Sequence, residues 1–271
     1  MSSCDILFQY EPSAEAASFF AIGFGLSAIA HLVQMCRLGA WVMVTTVTGC
    51  CLEAAGYITR AVLASQVYCL WDPRLYSAQG ILILAAPALV AAVTCEIYER
   101  VVKTTGGLRL SILPAGWTTW LFLSSSVFAF SLQTLGACII YIMKDAVAEP
   151  YGRAIVLVGV GLEMVISLLL LALTIVLHHR LNRAPTTKSR QEANPWRMHL
   201  GVSYGIVVLM CIRSTYRTLK ATRDNDGDLS EFVPYIFDAV PTLAITLLMN
   251  WDHPGHIKGT GRSFREALYW C

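Results

Sequence analysis

Seven long apolar stretches divide the sequence, and they constrain its fold more than any other feature. A bilayer core about 30 Å thick needs about 20 apolar residues per helix. The stretches that meet or approach this length are Ala14–Met35, Ala40–Leu63, Ser77–Ile97, Gly116–Met143, Ala154–His178, His199–Thr218 and Glu231–Trp251. Strand-type alternation is absent. We therefore predict an all-α, polytopic membrane protein, a bundle of seven transmembrane helices that forms one domain over residues 1–271.

The composition agrees with a protein whose solvent is lipid. Of 271 residues, 56% are hydrophobic and only 14% are charged. The net charge is +2, and no basic stripe with interleaved aromatic residues occurs, so no nucleic-acid partner is expected. No G-x-x-x-x-G-K-[ST] motif occurs, so we expect no ATP-driven transport by this chain alone. The predicted location is integral to the plasma membrane or an endomembrane.

The distribution of Lys and Arg predicts the orientation of the bundle. The longest polar segment, residues 180–197, carries five basic residues, and Lys258, Arg262 and Arg265 follow the last stretch. Placing the N-terminus outside and the C-terminus in the cytoplasm puts most of the Lys and Arg on the inner side, as the positive-inside rule requires. In this topology Arg217 and Lys220 are assigned to the outer side.

Cysteines and histidines give no sign of a metal or cofactor. Most of the nine cysteines lie in apolar runs, where a thiol packs as a small hydrophobe. A disulfide between Cys4 and Cys69, both predicted outside, stays open. The pairs His178–His179 and His253-x-x-His256 have no neighbouring ligand cluster. Residues 224–228 resemble the start of an EF-hand loop, but Val233 then falls at the bidentate position, so a turn is expected.

Ionisable side chains inside the apolar stretches are the main functional signal. A charge at the centre of a membrane helix costs about 2.5–3.5 kcal/mol on insertion scales, so it needs a partner. Arg213, Arg217 and Lys220 recur at helical spacing. Two further sets recur at i, i+4 and i+7, which places each set on one helix face: Glu53, Tyr57 and Arg60, and Glu231, Tyr235 and Asp238.

At 1.5 Å per residue, these groups fall at similar depths. Glu53, Gln133, Glu163 and Asp238 share a layer in the outer half, with Arg60 and Arg213 nearer the outer boundary. We predict a polar cavity open to the outside, in which two guanidinium groups face three carboxyl groups and leave one carboxyl group to carry a proton. The alternative is a set of interhelical clamps that fix packing. The full set of expected cavity residues is Glu53, Tyr57, Arg60, Gln133, Glu163, Arg213, Tyr216, Arg217, Glu231, Tyr235 and Asp238.

Prolines and glycines predict local features of the helices. Pro87 and Pro241 each lie within an apolar stretch, where proline kinks a helix and frees a backbone carbonyl. Gly159 and Gly161 are expected to permit close approach of a neighbouring helix.

Several motifs together resemble the fungal RTA1-like family. They are Tyr10-x-Pro12-Ser13, Glu53-x-x-Gly56-Tyr57-x-x-Arg60, Ala86-Pro87 followed by Arg100, Gln133-x-x-Gly136, Gly161-Leu162, and Ile212-Arg213-x-x-Tyr216-Arg217 followed by Gly227 and Glu231-x-x-x-Tyr235-x-x-Asp238. The last block is the most specific. The resemblance implies seven-helix proteins described as lipid-translocating exporters, and a lipid or amphiphilic small molecule as substrate.

The sequence departs from that family pattern at three positions. Lys220 stands where the family has Glu, Ser126 stands where it has an acid, and Glu163 stands where Gln is common. A changed substrate is the simplest consequence.

Three functions are open at this point. The first is a translocator or exporter of an amphiphile. The second is an intramembrane enzyme, such as a terpene cyclase, in which Glu53, Glu163 or Asp238 is the general acid and aromatic faces stabilise a carbocation. The third is a seven-helix sensor, for which the inner loops show no signature beyond ordinary basic residues.

Overall fold

The protein, seen in a computed structural model, is described here over residues 12–66, 71–91, 94–143, 147–190, 195–222 and 231–252. Helices account for nearly all of these residues, and none of them forms a strand. The α-helices are α1 Ala14–Leu38, α2 Val44–Ala64, α3 Pro73–Ala91, α4 Thr94–Thr104, α5 Ala115–Cys138, α6 Glu149–Arg183, α7 Trp196–Thr222, α8 Phe232–Pro234 and α9 Val240–Trp251. Short 3₁₀ helices cover Trp41–Met43 and Gly107–Arg109, and π-helices cover Ile139–Met143 and Tyr235–Ala239.

Seven helical stretches are long and apolar enough to cross a membrane. They are α1, α2 with the 3₁₀ turn before it, α3 together with α4, α5 with the π-helix after it, α6, α7, and the last span Phe232–Trp251. The predicted all-α, seven-helix membrane fold is therefore confirmed. The side of the membrane on which each terminus lies stays a prediction.

The helices extend beyond the apolar stretches that predict them. The fifth stretch was expected over 154–178, whereas α6 runs from Glu149 to Arg183. An apolar run marks the part that lipid requires, but a helix continues until a cap ends it. For α1, the Ser13 side chain accepts from the Ala16 N–H at the start, and Gly39 ends the helix with a φ of 64°, a left-handed conformation that suits glycine.

The spans close into a ring. Along the chain, α1 packs against α2, α2 against α3, α5 against α6, and α6 against α7. Helix α3 also packs against α5, and α9 packs against both α7 and α1. Large apolar side chains such as Phe19, Ile22 and Val165 are more than 60% exposed on the outer surface of this ring. Such a surface fits a hydrocarbon environment.

Glycines bring α5 and α6 into close contact. A Cβ atom at Gly159 would lie 2.8 Å from Cγ of Gln133, and one at Gly136 would lie 2.7 Å from the Gly152 carbonyl oxygen. The expected close approach is confirmed for Gly159. It is wrong for Gly161, where a Cβ atom would meet nothing within 4 Å, because that position faces away from the contact.

Candidate functional site

The guanidinium group of Arg213, on α7, is fully buried and joins three other elements. Its Nη1 donates to Oε1 of Glu163 on α6, at 3.1 Å. Its Nη2 donates to the Leu84 carbonyl on α3, also at 3.1 Å. Its Nε lies 3.0 Å from Oδ1 of Asp238 in the π-helix of the last span. One side chain thus holds four elements together at a single point.

Arg217 lies one turn further along α7 and pairs with the same aspartate. Its Nε donates to Oδ1 of Asp238 at 3.0 Å, and its Nη2 donates to Oδ2 of Asp238 and to the Ile83 carbonyl. The Arg217 side chain is only 12% exposed. Its assignment to the outer side of the membrane stays a prediction, and in the bundle a buried carboxylate holds it inside.

Two backbone carbonyls accept from the arginines, and Pro87 leaves one of them, that of Ile83, without its helical N–H donor. In a regular helix the Ile83 carbonyl would accept from the N–H of residue 87, and proline has none. The Ile83 carbonyl instead accepts from Arg217 Nη2 at 3.2 Å. The prediction that Pro87 frees a carbonyl is confirmed, and the freed group binds a cation in the middle of the bundle.

Gln133 extends the network to α5. Its Nε2 donates to Oε2 of Glu163 at 2.8 Å, so Glu163 accepts from α5 with one oxygen and from α7 with the other. We call the set Gln133, Glu163, Arg213, Arg217 and Asp238 the Arg213 network. Its two carboxylates, Glu163 and Asp238, are 3% and 4% exposed.

Glu53 on α2 is the third carboxyl group of this layer and is 1% exposed. It interacts electrostatically with Asp238, Arg213 and Arg217, but it forms no ion pair within the part of the chain that the structure describes. Three carboxyl groups therefore face two guanidinium groups. The expected imbalance is present, although the second cation is Arg217 and not the Arg60 that the sequence suggested.

Arg60 lies in a neighbouring aromatic cluster. Its Nε donates to the Tyr235 hydroxyl at 2.9 Å, its Nη1 lies 3.5 Å from Gln79 Oε1, and its guanidinium carbon is 5.2 Å from the centre of the Tyr235 ring. The Tyr235 ring stacks on Phe20 and Tyr57 at centroid distances of 5.3 and 6.2 Å. These contacts place Arg60 and Tyr57 together, beside the Arg213 network.

The predicted site residues Glu231, Tyr235 and Asp238 contact different parts of the bundle. Glu231 Oε1 accepts from the Ser13 backbone N–H at the start of α1, Tyr235 binds Arg60, and Asp238 binds Arg213 and Arg217. Because residues Tyr235–Ala239 are π-helical, the i, i+4, i+7 set does not form one cluster. A π-helical turn of this kind is frequent at functional sites.

Tyr216 lies on α7 between the two arginines and is 8% exposed. Its ring stacks on Phe237 at a centroid distance of 6.2 Å. Tyr216 therefore lies beside the network, at the contact of α7 with the last span.

The layer is closed in this conformation. Glu53, Glu163 and Asp238 are each at most 4% exposed, so they pack against partners and do not line an open cavity. A cavity of about 20 Å³ lies beside Glu163 and is also lined by Thr94, Ser126 and Ser167. That volume has room for one water molecule.

Other sequence hypotheses fall elsewhere. His178 contacts the Tyr204 hydroxyl at 3.1 Å. Among the residues that the structure describes, no group of three or more His, Cys, Asp or Glu could hold a metal ion. The proposed Cys4–Cys69 disulfide, the His253/His256 pair and the turn at 224–228 lie outside the described residues.

Fold and site together define a class: a polytopic seven-helix membrane protein whose spans meet at a buried ion-pair network. Comparison with protein families narrows this class. The model of the family described as "RTA1 like protein" matches residues 46–260, which is most of the sequence. The chain belongs to the RTA1-like family.

Several fungal proteins are similar to this chain at low identity. Protein RTA1 of Saccharomyces cerevisiae is 23% identical over 270 residues, which cover 89% of this chain and 83% of that protein. The probable lipid transporter atnI of Emericella nidulans is 25% identical over 278 residues, covering 94% and 69%. Protoporphyrin uptake protein 1 of S. cerevisiae is 26% identical over 208 residues, covering 74% and 64%. No solved structure matches the chain.

Proposed function

We propose that this protein translocates an amphiphilic lipid or lipid-like molecule across the membrane, and that the Arg213 network is the part of the bundle that opens. The observation that carries the proposal is the single buried guanidinium group that joins α3, α6, α7 and the last span. The names of relatives support the substrate class, since one is a probable lipid transporter and another a lipid-translocating exporter-like protein.

Stability alone does not account for such a network. Replacing a buried ion pair with apolar residues of similar volume is often neutral or stabilising, whereas removing one partner costs about 3–5 kcal/mol. Ionisable residues in membrane spans therefore mark functional sites by default. If the network exchanges its internal bonds for bonds to a polar head group, the charged side chains have a function inside the bundle.

The network offers both signs of charge to a head group. Arg213 and Arg217 can donate to a phosphate or carboxylate, and Glu163 and Asp238 can accept from an ammonium or hydroxyl group. Either exchange would release contacts between spans. Glu53, the carboxyl group without an ion-pair partner, is the group to which we assign a proton-carrying role.

A flip assay with a matched pair of variants tests the proposal. Purified protein is placed in liposomes that contain fluorescent lipids or long-chain bases, and the rate of leaflet exchange is measured by quenching from outside. We expect faster exchange with the wild-type protein and at least a tenfold loss in Asp238→Asn. Asp252→Asn is the control, because Asp252 is equally buried at 3% exposure but binds His199 at the other end of the last span.

Two outcomes would contradict the proposal. One is the absence of faster exchange for any of a range of head groups. The other is loss of the folded, monodisperse protein in Asp238→Asn, which would favour a purely structural clamp.

The cavity beside Glu163 bears on the cyclase alternative. Sites for small molecules usually have volumes of about 300–1,000 Å³, and this cavity has about 20 Å³. In this conformation the cavity has no room for a prenyl chain, and the translocation proposal rests on the Arg213 network. The enzyme hypothesis can be tested directly. Membranes that contain the protein are incubated with candidate prenylated substrates, and the hypothesis predicts a new product that is lost in Glu53→Gln.

A further inference from the structure

A groove on the lipid-facing surface lies between α6, α7 and the last span. Its volume is about 560 Å³, and its lining includes Leu171, Cys211, Ile212 and Phe237. This volume is within the range of sites that hold small molecules. The lining is almost entirely apolar, so the groove suits a hydrocarbon chain.

Val207 on α7 lines both this groove and the small cavity beside Glu163. Its side chain is 2% exposed. The next residue, Val208, lines the groove alone and is 55% exposed. Val207 therefore lies between the groove on the lipid-facing surface and the cavity beside Glu163.

The geometry points to Val207 as a lateral gate between α6 and α7, through which the polar head of an amphiphile from the bilayer reaches Glu163 while its hydrocarbon chain stays in the groove. This inference rests on the proposed function and adds to it a route of entry and a substrate with at least one linear hydrocarbon chain.

Dimensions and bonding along α7 support this route. From Val207 to Lys220, the groove follows α7 for about 20 Å at 1.5 Å per residue, which is long enough for an extended hydrocarbon chain. The Glu163–Arg213 pair crosses the same contact between α6 and α7. A polar head group that reaches Glu163 through Val207 would therefore meet a carboxylate already paired with Arg213, and it can replace that partner.

Thiol labelling tests the gate without any transport assay. Cys95 lines the cavity beside Glu163 and is 2% exposed. In a variant that keeps only this cysteine, the rate of thiol labelling reports access to that cavity. The probe is N-ethylmaleimide, which enters the bilayer. We expect slow labelling in the parent, at least tenfold faster labelling after Val207→Ala, and less than a twofold change after Val208→Ala. A thermal melt of each variant confirms that it is folded.

The flip assay is a second test of the gate. Val207→Phe should reduce leaflet exchange at least fivefold, whereas Val165→Phe, at a 62% exposed position of α6 outside the groove, should leave it within twofold of wild type. Equal labelling of Cys95 in Val207→Ala and Val208→Ala, or fast labelling in the parent, would overturn the gate even if lipid exchange is observed. Absence of exchange in the wild-type protein would overturn the proposed function, and the labelling result would still decide whether Val207 separates the two spaces.

Discussion

Two groups of buried and partly buried polar residues hold this bundle together in different ways. The Arg213 network uses full charges and joins five spans. The second, which we call the Asn250 group, consists of Ser27, His31, Gln34, Thr246 and Asn250 and joins only α1 and α9. In it, Asn250 Nδ2 donates to Ser27 Oγ at 2.7 Å, Gln34 Nε2 donates to the Asn250 carbonyl at 3.0 Å, and His31 Nε2 lies 3.2 Å from the Thr246 carbonyl.

The difference shows what each group is suited to do. Neutral hydrogen bonds between two helices fix their register at a cost of little desolvation, as polar groups in membrane bundles often do. Charged groups are far more expensive to bury. An arrangement that uses them at the meeting point of five spans gains strong contacts that share two carboxylates, Glu163 and Asp238, so exchange of one partner affects several spans at once.

Removal of Arg213 should have the largest effect on stability. Arg213→Ala leaves Glu163 and Asp238 buried without this cation, a change that costs about 3–5 kcal/mol for a buried pair. We expect most of the folded protein to be lost, as measured by thermal unfolding in detergent and by size-exclusion chromatography. Arg197→Ala on the same helix is the control, because Arg197 is exposed. Similar melting of the two variants would remove the distinction between the network and ordinary surface charge.

A methyl group at Gly159 should have a smaller effect, through Gln133. In Gly159→Ala the new Cβ would lie 2.8 Å from Gln133 Cγ, and overpacking of this kind costs about 1–3 kcal/mol. The displaced Gln133 would also lose its bond to Glu163. Gly161→Ala, where the new Cβ meets nothing within 4 Å, should not lower the melting temperature. Equal melting of both variants would show that the α5–α6 contact does not position the network.

The smallest effect is expected in the Asn250 group. Asn250→Ala removes the donor to Ser27 Oγ, and a neutral hydrogen bond contributes about 0.5–1.5 kcal/mol net. We expect a small fall in the melting temperature and a flip rate within twofold of wild type. Thr48→Ala, which removes an exposed bond within one helix, should change neither quantity. A loss of lipid exchange in Asn250→Ala comparable to that in Asp238→Asn would erase the functional difference between the two groups.

The sequence predicted the helices well because apolar length is a direct requirement of the bilayer. It also singled out Glu53, Glu163, Arg213 and Asp238, since a charge in an apolar stretch needs a partner. It could not choose the partners. Arg60 was expected just below the outer boundary and Arg217 on the outer side, and only the packing of the spans shows that Arg217 binds Asp238 and that Arg60 binds Tyr235.

Other features of the site had a weak signal in the sequence or none. Every residue has a carbonyl group, so the sequence does not show which carbonyls accept from the arginines. Pro87 marks the Ile83 carbonyl, because proline lacks the N–H that would bind it, but nothing marks the Leu84 carbonyl. The groove beside Val207 had no signal, because an apolar residue between two spaces reads like any other apolar residue of α7. Such features depend on the shape of the assembled bundle.

The bond from the Ser13 N–H to Glu231 has a consequence for biosynthesis. The two residues are 218 positions apart, so the start of the first span has no acceptor until Glu231 has been synthesised. Inserted intermediates that lack the last span leave α1 without this anchor and without α9 beside it. The ring can therefore close only after synthesis of the seventh helix, and chains truncated before Glu231 should be recognised as incomplete by membrane quality control.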